Sequence, residues 1–139
     1  MDPSFPPAYA SLIYNLVRAG RFQDLPPVME AYVKVCDELE AKGMRAYILA
    51  HEGKKDEARK LADELSAEPT RRLSPYSLAV IYFVVGDDEK GFEMLERAYR
   101  DRDRYLGFMW IEDDLVRVRG DLRFQSLLEK VGLAGRIRT

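Results

Sequence analysis

The sequence contains a single cysteine, Cys36, and a single histidine, His51, among its 139 residues. One thiol cannot form an internal disulfide, and this pair gives none of the Cys/His spacings that hold a structural metal. Long apolar runs are absent as well, because the longest, residues 77–85, is far shorter than the roughly twenty residues that cross a bilayer. We therefore expect no metal, no cofactor and no membrane-spanning segment.

The amino-terminal residues 1–7 lack the basic and apolar regions of a secretory signal peptide. A cytoplasmic location is therefore the default expectation. The composition, with 47% hydrophobic and 33% charged residues, is typical of a folded globular chain. Its length predicts one domain, residues 1–139, large enough to bury a hydrophobic core.

Motifs of catalysis are absent too. There is no Gly-rich phosphate loop, no nucleophile elbow and no His-Glu-x-x-His pair. Neighbouring carboxylates occur at Asp113-Asp114 and at residues 87–89, but such clusters are typical of helix N-caps and solvated turns. We therefore expect a protein that is not an enzyme and has no catalytic residue.

What the chain does have is a regular spacing of glycine. Gly20, Gly53 and Gly86 stand 33 residues apart, and each separates two apolar stretches of helical periodicity. A period of this size is typical of repeated helical hairpins that bury their apolar faces against one another. The sequence thus predicts an all-α fold of about three antiparallel helix pairs with a C-terminal cap, at approximately residues 6–38, 39–71, 72–105 and 106–133.

The third unit shows the hairpin most clearly. Ser74 is a favourable N-cap, and Pro75 suits the first helical position, where its missing N–H is not needed. Gly86 supplies a left-handed residue that ends this helix, and Asp87 caps the next one. The short turn predicts two antiparallel neighbouring helices.

The pattern is less regular on either side of this unit. Pro26 and Pro27 stand where the other units are already helical, so we expect the second helix to be capped by Asp24 and to run to about Ala41. Asp121 is predicted to cap a last amphipathic helix. Such a terminal element would close the core of the stack.

These residues resemble tetratricopeptide repeats, whose unit is a helix–turn–helix of 34 residues. The third unit follows the family pattern in both helices, as Pro75-x-x-Leu78-Ala79-x-x-Tyr82 and then Gly91-x-x-x-Leu95 and Ala98. Residues 119–124 are similar to the segment after the last repeat in many prokaryotic modules that end signalling proteins, with Leu122 in place of the usual proline. The resemblance implies a right-handed superhelix that serves as an interaction scaffold.

In that family, the first helix of each pair lines a concave groove. The residues that the resemblance places in this groove are Tyr14, Arg18, Tyr47, His51, Tyr76, Val80 and Phe83. They suit an apolar or amphipathic peptide or helix of another protein, because the Lys, Asn and Arg clamp for acidic tails is missing. Part of the groove could instead be covered by the cap, through Phe108, Met109 and Trp110.

Two other functions stay open on the sequence alone. One is a structural or self-association module, in which the groove receives a terminal segment of another copy; the expected state is a monomer or a weak homodimer. The other is nucleic-acid binding, because the last 43 residues carry 10 Lys and Arg against 7 Asp and Glu. In residues 101–104, however, arginine alternates with aspartate, which is typical of a salt-bridged surface. We therefore expect a protein or peptide partner, not nucleic acid or membrane.

Overall fold

The computed structural model describes residues 6–68 and 73–132, and within these ranges the chain is helical and has no strand. The prediction of an all-α fold is thereby confirmed. The seven α-helices of this part of the chain are α1 (Pro6–Arg18), α2 (Leu25–Val33), α3 (Glu38–His51), α4 (Lys55–Ser66), α5 (Pro75–Val85), α6 (Asp88–Arg100) and α7 (Leu122–Lys130). Short 3-10 turns lie at Phe22–Asp24, Arg104–Phe108 and Asp113–Val118.

The three periodic glycines each lie just after an α-helix in a left-handed backbone conformation. Their φ angles are +71° at Gly20, +84° at Gly53 and +89° at Gly86. A residue with a Cβ is strained in this region, so glycine is needed wherever the helix must end in this way. The helices on either side of each turn pack together, as α1 with α2, α3 with α4 and α5 with α6.

Three of the predicted caps hold the helices that they precede. The side chains of Ser74 and Asp87 each accept a hydrogen bond at 3.3 Å from the backbone N–H three residues further on. Asp121 accepts one at 2.8 Å from the N–H two residues on. Asp24 precedes α2 as predicted, but its carboxylate accepts a hydrogen bond from the Arg21 guanidinium, at 2.8 Å, in place of a cap.

Helix α2 is shorter than the sequence predicts, because it ends at Val33 and does not continue to Ala41. The carbonyl of Tyr32 accepts hydrogen bonds from the N–H groups of both residue 35 and residue 36, which closes a tight turn. Asp37 then begins α3, since its carboxylate accepts a hydrogen bond at 2.7 Å from the N–H of Leu39. The N-cap at Asp37 therefore separates α2 from α3, although the sequence pattern predicts one continuous helix to Ala41.

Helix α5 is the centre of the core. Nine of its eleven residues are buried, because α3, α4, α6 and both C-terminal 3-10 turns pack around it. A helix that is apolar on all sides belongs inside a fold, where each face has a neighbour. Helix α5 consequently has little surface left to offer to a ligand.

Residues 104–118, here named the cover segment, complete this core on the side of α5. Its inward side chains are buried, with exposures of 0–5% at Leu106, Met109, Leu115 and Val118. Helix α7 then packs on α6 and buries Phe124, Leu127 and Leu128. The C-terminal region therefore caps the helices that precede it.

Candidate functional site

Three of the predicted groove residues lie in the core. Tyr76, Val80 and Phe83, all in α5, have exposures of 6%, 6% and 2%. The cover segment packs on this helix, and its Met109 is fully buried, whereas Phe108 is half exposed. At this end, the groove that the resemblance implies is filled by the chain itself.

The other four predicted residues form one connected cluster on α1 and α3. The rings of Tyr14 and Tyr47 meet edge to face, with their centroids 5.0 Å apart. The Tyr47 ring is in turn 4.6 Å from the imidazole of His51. Arg18 lies one helical turn after Tyr14, with its side chain about half exposed. The structure thus brings these four together. Burial raises the pKa of Tyr76 in α5, followed by the charges of Glu112, Asp114 and Asp103, and Tyr14 is near enough to contribute as well.

Acidic residues of the cover segment pair with this cluster. Asp114 accepts a hydrogen bond from the Tyr47 hydroxyl at 3.1 Å and lies 3.2 Å from the Nε2 atom of His51. Glu112 lies 3.5 Å from the guanidinium of Arg18. Arg18, Tyr47 and His51, which are predicted to bind a partner, therefore contact acidic residues of the cover segment of their own chain.

Burial shifts the titration of several of these groups. It raises the pKa of Tyr14 to about 12, with a smaller contribution from Glu112, and it also raises the pKa of Tyr47, where Asp114 adds to the effect. The pKa of Glu112 is raised as well, first by burial and then by the charge of Asp114. The phenols therefore stay protonated at neutral pH, whereas the Glu112 carboxylate ionises at an energetic cost.

We expect Glu112→Gln to stabilise the protein at neutral pH. When the pKa of a carboxyl group is higher in the folded than in the unfolded state, the protein loses stability as the pH rises from the lower pKa to the higher one. The variant lacks this loss, so its midpoint of thermal unfolding should exceed that of the wild type at pH 7. The difference should vanish near pH 4, where Glu112 is protonated. A variant that is less stable than the wild type at pH 7 and equal to it at pH 4 would contradict this assignment.

An exposed surface, here named the aromatic face, shares Tyr14 with this cluster and is completed by Tyr105, Phe108 and Ile111. These side chains are 37–50% exposed. The rings of Tyr105 and Phe108 are stacked with centroids 6.4 Å apart, and Tyr105 is near enough to Tyr14 to contribute to its raised pKa. The face thus joins α1 to the cover segment.

Sequence reasoning missed Tyr105 and Ile111 as surface residues. Together with Phe108 they recur every third residue, whereas Leu106 and Met109, with the same spacing, point inward. A three-residue period is the signature of 3-10 geometry, in which residues i and i+3 lie above one another. This period is the signal in the sequence that could have distinguished the exposed side chains of the segment from its buried ones.

Several arginines of the C-terminal region are held within the fold. Arg117 donates to both carboxylate oxygens of Asp88, at 2.6 and 2.9 Å. Arg123 pairs with Glu89 at 3.0 Å, and Arg119 donates to a backbone carbonyl at 2.9 Å. These contacts leave less positive charge for the phosphates of a nucleic acid, so the nucleic-acid hypothesis gains no support here.

No protein-family model, characterised protein or solved structure matches this chain. In residues 6–68 and 73–132, no three His, Cys, Asp or Glu side chains are grouped as a metal site requires. In the same ranges, no helix combines the length and apolar character needed to span a bilayer.

Proposed function

We propose that this chain is a non-enzymatic protein-interaction module, a superhelix of about three helix pairs of the tetratricopeptide type. In this proposal it binds an apolar or amphipathic peptide of another protein on the aromatic face. The observation that carries the proposal is the exposure of Tyr14, Tyr105, Phe108 and Ile111, among which Tyr105 stacks on Phe108 and lies near Tyr14. Apolar side chains grouped in this way usually mark an interaction site, and aromatic residues are enriched at such sites.

The packing beneath the aromatic face favours this proposal. Leu106 and Met109 are buried in the same cover segment that presents Tyr105 and Phe108, so the backbone beneath the exposed rings is packed before a partner binds. A preformed surface loses little conformational entropy on binding. Arg18, half exposed beside Tyr14 and paired with Glu112 and Asp113, places charged groups at the rim. The face therefore has an apolar centre with a polar edge, which is typical of protein interfaces.

Affinity capture from a lysate of the source organism tests the proposal. The wild type is compared with Tyr105→Ala/Phe108→Ala and with Tyr99→Ala, whose tyrosine is similarly exposed on α6. We expect the double variant to lose at least about tenfold of the captured partner, because aromatic side chains at an interface centre often contribute more than 1 kcal/mol each. Tyr99→Ala should capture as the wild type does.

An unchanged set of captured proteins in the double variant, with its circular dichroism intact, would refute the proposal. Sedimentation equilibrium of the same three proteins tests whether a second copy is the partner. A dimer that only the double variant abolishes would favour self-association through this face.

A further inference from the structure

A groove runs between α2 and α3 and shares no residue with the aromatic face. Each helix presents to it one face at i, i+3, i+4 and i+7 spacing, formed by Pro26, Met29, Glu30 and Val33 in α2 and by Arg45, Ile48 and Leu49 in α3 with its C-cap residue Glu52. The groove encloses about 350 Å³. It continues past Val33 and Arg45 towards the start of α3 into a second space of about 340 Å³.

The groove exists because α2 is short and lies apart from α3. Helix α2 has nine residues, whereas α4 and α6 have 12 and 13. Helix α4 packs closely on the α5 helix that follows it, but α2 makes only slight contact with α3. The facing side chains of α2 and α3 are thereby left without a third helix between them in the described part of the chain.

The α3 side of the groove carries two charges of opposite sign. Arg45 and Glu52 are seven residues apart, which places them on the same side of α3 and about 10 Å apart along its axis. Within residues 6–68 and 73–132, neither has an ion-pair partner within 4.0 Å. Between them lie Ile48 and Leu49. The α3 side of the groove therefore has an apolar centre between two unpaired charges, whereas Glu30 on the α2 side pairs with Lys34 at 4.0 Å.

We propose that this groove binds an amphipathic α-helix of another protein. The apolar stripe of that helix lies between α2 and α3, since a third helix fills the space between two such helices. The bound helix carries an acidic residue against Arg45 and a basic residue two turns away against Glu52. Charges paired at such a distance fix the direction and register of the bound helix.

Designed peptides provide the probe. The first is a capped helix of four turns with leucine at i, i+3, i+4 and i+7, a glutamate just before the first leucine, and a lysine seven residues after that glutamate. The second has the same sequence with the two charges exchanged. We expect the wild type to prefer one peptide by about tenfold, and Arg45→Glu/Glu52→Arg to prefer the other by a similar factor. Fluorescence polarisation measures both preferences. A difference in helicity between the two peptides affects their binding to both proteins equally, so it cannot reverse the preference.

Val33→Glu should prevent peptide binding in the groove, because it places a charge at a groove side chain that is 40% exposed. It should weaken both peptides at least about tenfold, whereas Val116→Glu, at a similarly exposed valine of the cover segment, should weaken neither. Amide shifts in the wild type should concentrate in residues 25–33 and 45–52.

Three results would each overturn the proposal. One is the absence of binding of either peptide to the wild type at millimolar concentration. Another is a preference that stays the same after the charges at 45 and 52 are exchanged. The last is a wild-type dimer, detected by sedimentation, that Val33→Glu dissociates, because the groove would then hold a second copy of this chain.

Discussion

Leu115→Ala is expected to lower the free energy of unfolding by about 2–5 kcal/mol. The side chain of Leu115 is fully buried in the cover segment, so its truncation removes apolar contacts and leaves a cavity beside α5. Val116→Ala, one residue later and half exposed, should change the stability by no more than about 0.5 kcal/mol. Urea unfolding followed by far-ultraviolet circular dichroism measures both.

The comparison of Leu115→Ala with Val116→Ala shows whether the cover segment is an integral part of the fold or can dissociate from it. If it were detachable, Leu115→Ala would release the segment and leave the cooperative unfolding of α1–α6 as stable as before. Leu106 and Met109 are buried as well, so a ligand that displaced the segment would have to replace the burial of several large side chains. This cost is the reason why the proposed interaction uses the aromatic face and not the filled groove over α5.

The turns and caps could be predicted from the sequence because each depends on local chemistry. Gly53 and Gly86 have a positive φ that other residues adopt at a cost, and Asp87 satisfies an N–H group of the helix that it precedes. These rules need no knowledge of the rest of the fold. The helix positions around them could therefore be anticipated, except at the end of α2, where the competing cap at Asp37 divides a continuous apolar pattern.

The position of the candidate site could be predicted only in part. The rings of Tyr14 and Tyr47, which the resemblance places in one groove, are in contact. Helix α5, however, is apolar on every side, so its pattern does not distinguish a concave surface from a core, and Phe83 is buried. The aromatic face depends on a 3-10 segment, whose three-residue period differs from the spacing of an α-helix. Tertiary packing of that segment decides which side chains are exposed.

Gly91→Ala is the second substitution with a large expected effect. A Cβ atom at Gly91 would lie 2.7 Å from ring carbons of Phe83, which no ordinary contact allows. The Phe83 ring is itself buried and in edge-to-face contact with Phe92, with centroids 5.0 Å apart, so it has little room to move. We expect a loss of about 1–3 kcal/mol, although alanine is the better helix former by about 1 kcal/mol. Gly107→Ala, where the added atom would meet nothing within 4 Å, is the control.

A rescue experiment tests whether the Phe83 ring is the cause. One period earlier, the same two positions hold Ala50 and Ala58, both buried, so the second unit pairs two small residues where the third pairs a large residue with glycine. Phe83→Leu should therefore relieve the clash, and the double variant Phe83→Leu/Gly91→Ala should be more stable, by about 1 kcal/mol, than the sum of the single effects predicts. Strictly additive losses would show that Gly91 is needed for the backbone of α6 and not for the ring that packs against it.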